Sequence, residues 1–173
     1  MILRILQNLF RFLILVFIQV FILNQIVLPG DLNAYINPNI YVLFLLMLPI
    51  QINRLLLLFI CFLCGLSIDI FMSTAGLHAS ACLFIGLVRP GLINLVISRE
   101  SNDNNIELSM SGMGIQSFLI YASVLIVVHH FALMLLEAFN FLHFLNLLLR
   151  VVTASLSTII LITLSQLLII RNR

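Results

Sequence analysis

Asp69 lies inside a long apolar run, Leu55–Met72, and His78 sits at the start of the next one, just past a short turn. An acid within a membrane helix costs about 2.5–3.5 kcal/mol on insertion scales, so it marks either an interface or a built contact. Two chemistries fit the pair. A carboxylate ending one helix can accept backbone N–H bonds from the Ser73–Gly76 turn and meet the positive end of the following helix. Acid and imidazole side chains also recur in proton and ion pathways. That second use lacks another intramembrane acid to pass the proton on, so a tied-down hairpin is the preferred reading.

The other reactive side chains say less. His129 and His130 are adjacent, and neighbours on a helix point about 100° apart, whereas helical metal ligands come at i, i+4. With His78 and His143 on other segments, polar or packing contacts are expected, and no metal. Cys61 and Cys64 form a CxxC inside an apolar helix and Cys82 stands apart. Zinc wants four ligands, usually on turns, so packed or lipid-facing thiols are expected. Arg89-Pro90-Gly91 should bend or break its helix and let Arg89 reach a lipid phosphate or a neighbouring carbonyl. Gln19, Asn24 and Gln25 read as polar glue between helices. Thr153, Ala154, Ser155, Ser157 and Thr158 form a small face for close helix packing. No GxSxG, HExxH, P-loop or intramembrane aspartate pair occurs, so neither an enzyme nor a cofactor is expected.

The elements that hold these residues follow from composition. The 173 residues are 63% hydrophobic and 8% charged, with mean hydropathy +1.26. A soluble domain carries roughly 25% charged residues, so the chain is read as an all-α, polytopic membrane protein forming one transmembrane domain. A net charge of +2 without an aromatic-laced basic patch points away from nucleic acid. No small-residue cleavage site follows the first apolar stretch, which is read as a retained span.

A bilayer core of about 30 Å needs roughly 17–25 apolar residues per helix. About six spans are expected: 12–28, 38–53, 55–72, 76–97, 117–136 and 151–170. The second is the weakest, being short, begun by Asn37-Pro38 and kinked by Pro49. With the N-terminus in the cytoplasm, Arg4, Arg11, Arg54, Arg99, Arg171 and Arg173 fall inside and only Arg150 outside, a positive-inside pattern. Residues 98–116, with Arg99, Glu100, Asp103 and Glu107, read as a solvated cytoplasmic loop. Asn140, His143, Asn146 and Arg150 share one helical face across 138–150. That is the pattern of an interfacial helix, or of a last span that starts early.

The stretch Gly65 to Pro90, GLSIDIFMSTAGLHASACLFIGLVRP, resembles the bacterial rod shape-determining protein MreD family. The family's Gly-Leu-x-x-Asp and Gly-Leu-His patterns match Gly65, Leu66 and Asp69, and Gly76, Leu77 and His78. The resemblance implies a non-enzymatic scaffold of the cell-elongation complex in the bacterial inner membrane, serving lateral peptidoglycan synthesis. Its implied partner is an MreC-like protein, and through it an MreB-like filament, a RodA-like glycosyltransferase and a class B penicillin-binding protein. It also implies a fold like the six-helix substrate-binding component of energy-coupling-factor transporters, with Gly65, Asp69, Gly76, His78, Arg89 and Pro90 as structural or partner-contact positions. That fold supplies the rival reading, a vitamin-binding transporter component. Against it, the first span lacks the small residues such proteins use for docking. A small ion or proton transporter is the third reading. The aromatic face of Phe10–Phe21 and the small face of Thr153–Thr158 are the expected partner surfaces.

Overall fold

The computed structural model describes residues 2–27, 29, 35–96, 107–138 and 144–171. Its helices are α1 (Ile2–Phe21), α2 (Val42–Leu46), α3 (Arg54–Met72), α4 (Leu77–Val96), α5 (Met110–Met113), α6 (Ile115–Ala138) and α7 (Phe144–Arg171). A 3₁₀ turn at Leu23–Gln25 follows α1. Among the described residues, five stretches are long and apolar enough to cross a membrane: Leu6–Gln25, α3, α4, α6 and α7. Their outward faces carry residues such as Leu55, Ile70, Leu95 and Leu145, all strongly exposed. Water would not tolerate such a surface, and lipid does. The fold is that of a polytopic helical membrane protein.

Helix α3 packs along α4, α4 along α6, and α6 along α7, while α1 leans on α2, the 3₁₀ turn and α3. Asn53 begins α3 by accepting the Leu55 N–H at 2.9 Å, the usual N-cap contact. Ser73 ends it in the left-handed region at φ 56°, with its N–H returning to the Asp69 carbonyl. Pro90 stands within α4, which continues past it to Val96 instead of breaking. The expected last span begins earlier, at Phe144, and runs unbroken for 28 residues. At 1.5 Å per residue that is about 42 Å, longer than the hydrocarbon core. Residues 144–150 are therefore the first turns of α7. Asn140 and His143 lie outside the described residues, as do Arg99, Glu100, Asp103 and Arg173.

The expected second span behaves differently from the rest. Within 38–53 the only α-helix is the five-residue α2. Asn37-Pro38, Asn39 and Pro49 bracket an apolar run too short for a crossing helix, and prolines supply no N–H to extend it. Yet every residue from Ile40 to Leu48 is 7% exposed or less, so the segment is sheathed by the long helices. Its contacts advance in step with α7: Tyr35 meets Thr153, Asn39 meets Thr158, and Met47 meets Gln166. They retreat along α1, where Ile40 meets Gln19 and Phe44 stacks near Phe12. The segment runs along the bundle as a short helical stretch, with turn and helix hydrogen bonds from Asn39 to Met47, and irregular backbone at either end.

Candidate functional site

Irregular backbone at membrane depth survives only when protein groups satisfy its N–H and C=O groups. The buried polar residues of this protein do that. Gln19, wholly buried on α1, accepts the Ile40 N–H at 2.8 Å and donates to the Pro38 carbonyl at 3.3 Å. Thr158 on α7 accepts the Asn39 N–H at 3.0 Å. Tyr121 on α6 donates its hydroxyl to the Leu46 carbonyl at 2.9 Å. Arg89, 1% exposed, reaches the Leu48 and Pro49 carbonyls through Nη2 and the Tyr121 hydroxyl through Nε. Arg89 thus meets carbonyls and a phenol, the second of its two expected destinations, and not the lipid surface. Gln166 accepts the Met110 N–H at 3.3 Å, tying α5 to α7.

The hairpin motif forms a second cluster, and here every side chain acts across the α3–α4 joint. A Cβ added at Gly65 would lie 2.4 Å from the Ala79 Cα and from the His78 carbonyl oxygen. Only glycine lets the α4 backbone come so close. One turn on, the Asp69 Oδ1 accepts the His78 N–H at 3.0 Å and the Thr74 hydroxyl at 2.6 Å, and Oδ2 accepts the Ala79 N–H at 2.8 Å. These N–H groups belong to the first turn of α4, which has no intrahelical partner for them. Asp69 therefore caps α4 from a neighbouring helix, and the positive helix end favours its charge. The expected N–H donors in the Ser73–Gly76 turn are not the ones used; that turn supplies the Thr74 hydroxyl. Gly76 takes φ +83°, which completes the tight return.

His78 then turns into the bundle. Its Nδ1 lies 2.9 Å from the Tyr41 hydroxyl, which is also 2.7 Å from Nε2 of His129. A hydroxyl has one proton, so Tyr41 donates to one ring and accepts an N–H from the other. His130 leaves the helix in another direction and puts Nε2 2.9 Å from the Thr158 hydroxyl. The adjacent histidines serve separate neighbours, as their spacing implies. Nδ1 of each has no hydrogen-bond partner, and neither does Asn39 Nδ2 or the Ser155 hydroxyl. Among the described residues, no group of three or more His, Cys, Asp or Glu is placed to hold a metal ion. Cys61, Cys64 and Cys82 are buried thiols.

The two expected partner surfaces separate. On α1, Phe10, Phe17 and Phe21 are exposed, and Phe21 meets Phe71 at 6.1 Å. The small face of α7 is not available to a partner. Ala154, Ser155 and Thr158 are buried against α6 and the threaded segment, so Ala154→Leu would disturb the bundle itself.

Tyr41, Tyr121 and Gln166 are the site residues that residue-type reading passed over. The signal for them is the short, proline-bracketed run at 40–48: a broken backbone in a membrane demands buried donors and acceptors on the surrounding helices. Compared with known proteins, the chain matches no family model, no curated protein and no solved structure.

Proposed function

We propose that this protein is a non-enzymatic scaffold of the bacterial cell-elongation complex. In this reading it resides in the inner membrane with both termini cytoplasmic. Residues 38–53 count as a sixth crossing, and the fold is similar to the substrate-binding component of energy-coupling-factor transporters. The observation that carries the reading is the fate of Asp69: its carboxylate takes three donors at the α4 start. An acid so occupied fixes a hairpin and relays nothing. Gly65 and Arg89 are likewise committed to internal contacts, which leaves the outer faces, above all the aromatic face of α1, to meet partners.

Purification in mild detergent should bring down an MreC-like single-span protein, and depletion should abolish regular elongation while vitamin uptake continues. Tight vitamin binding together with capture of an energy-coupling module would overturn the reading. The proton-transporter alternative draws on one observation, Tyr41 bridging His78 and His129. It requires Tyr41→Phe to stop proton flux in vesicles while the fold persists; a scaffold carries no such flux to lose.

A further inference from the structure

Four buried polar atoms have no partner among the described residues, and three of them gather at one level of the bundle. The Thr158 hydroxyl takes the Asn39 N–H at 3.0 Å and lies 2.9 Å from His130 Nε2. Ser155 precedes Thr158 by one turn on the same buried face of α7, which sets their Cβ atoms about 5–6 Å apart. The open groups are thus Asn39 Nδ2, His130 Nδ1 and the Ser155 hydroxyl, all around one threonine. Residues 155–158 stand about 17–21 Å along α7, near the middle of a hydrocarbon core about 30 Å thick.

Ser155 departs from its neighbours. Thr153, Ser157, Thr158 and Ser165 on the same helix each return a hydroxyl proton to a carbonyl three or four residues back, at 2.7–2.9 Å. The Ser155 hydroxyl makes no such bond, and the residue is buried, so the group is turned from its own helix toward the packed interior. His130 is left open by proton count. Thr158 has one proton, and both the Ala154 carbonyl and His130 Nε2 lie within reach of it. If the proton goes to Ala154, Nε2 must donate and Nδ1 is a bare acceptor; if it goes to His130, Nδ1 holds a hydrogen without an acceptor. Either tautomer leaves a group to be met, and hydrocarbon offers nothing to meet it.

We propose that a water molecule binds inside the bundle between α6, α7 and Asn39, accepting from Asn39 Nδ2 and exchanging hydrogen bonds with the Ser155 hydroxyl and His130 Nδ1. Buried waters make about three such bonds, and a molecule with two donors and two acceptors serves either His130 tautomer. Among the described residues, none of the three bonds to a charged side chain, so an ion of either sign would lie uncompensated. The water ties the start of the sheathed run to the two helices beside it, at the one place where side chains alone leave the polar groups unmet.

Water-edited solid-state NMR of the isotope-labelled full chain in lipid bilayers tests the assignment, by timing polarisation transfer from water to each side chain. Transfer to the Ser155 Cβ, the Asn39 amide and the His130 ring should be several-fold faster than to Phe118 and Ile85, which are wholly buried apolar core. Ser155→Val puts a methyl where the hydroxyl meets the water, so transfer to His130 and Asn39 should fall to the Phe118 level. Ser157→Ala, which removes a hydroxyl bonded within α7, should leave both unchanged. Transfer to Ser155 and His130 as slow as to Phe118 in the unaltered chain would overturn the proposal, and so would fast transfer that survives Ser155→Val. The unaltered chain decides the matter even where the valine variant fails to fold.

Discussion

The α3–α4 hairpin and the threaded segment 35–53 solve the same problem by opposite means. In the hairpin the backbone groups in need of partners are two N–H donors at a helix start, and an acid nine and ten residues away accepts both. Donor and acceptor lie close in sequence, so one short motif contains the whole device. In the threaded segment the needy groups are strung over a dozen residues, and their partners come from α1, α4, α6 and α7, as far as 119 residues away. Local needs met locally leave a readable motif. Distributed needs leave only scattered polar residues in apolar helices.

The comparison breaks most sharply at Gly65. Gly65→Leu forces a side chain into the Ala79 backbone, and backbone cannot yield as a side-chain tip does. The loss should exceed about 3 kcal/mol, at the upper end for overpacking, and membrane abundance of the variant should collapse. Normal abundance and an unchanged melting temperature would mean that the helices do not approach so closely.

Arg89→Met comes next. It keeps volume but leaves the Leu48 and Pro49 carbonyls without their donor, at about 2–3 kcal/mol, part of which is returned because a charge is no longer buried. Because those carbonyls belong to the threaded segment, cysteines introduced near 49–51 should become more reactive to water-soluble thiol reagents, while one placed at Thr74 should not. Equal loosening of both regions would show that they are not separate devices.

Thr158→Val should have a smaller effect, about 1–2 kcal/mol, since one hydroxyl is lost at constant shape. It removes the acceptor for Asn39 N–H and the neighbour of His130. Hydrogen exchange should rise at Asn39 and Ile40 and stay unchanged at His78 and Ala79. Faster exchange in the hairpin instead would contradict the division.

Much of this was legible in the residues. Hydropathy points to long apolar helices, because lipid contact imposes apolar length on each, but it sets the first at 12–28, whereas α1 runs from Ile2 to Phe21. Asp69 and the glycines announced a tight joint, although the identity of the donors had to come from geometry: helix starts offer N–H groups at positions that spacing alone does not orient. The 38–53 segment reads as a short helix and its middle is one, but periodicity does not show that its proline-bounded ends are irregular. The small face of Ala154 to Thr158 was rightly read as a packing surface, but sequence cannot say whether its partner is another protein or the same chain. Tyr41 and Tyr121 gave no sign of their roles, because a phenol in an apolar run is equally at home as core.

The central claim is that Asp69 holds a helix start and is not a transport residue. Membrane abundance and function measured side by side for Asp69→Asn and Asp69→Leu test it directly. The amide oxygen of asparagine can still accept from the α4 start, so Asp69→Asn should keep most of its abundance and its function. Asp69→Leu should lose both together, by about 1.5–3 kcal/mol of stability. An Asp69→Asn protein that accumulates normally yet is as inactive as Asp69→Leu would contradict the account.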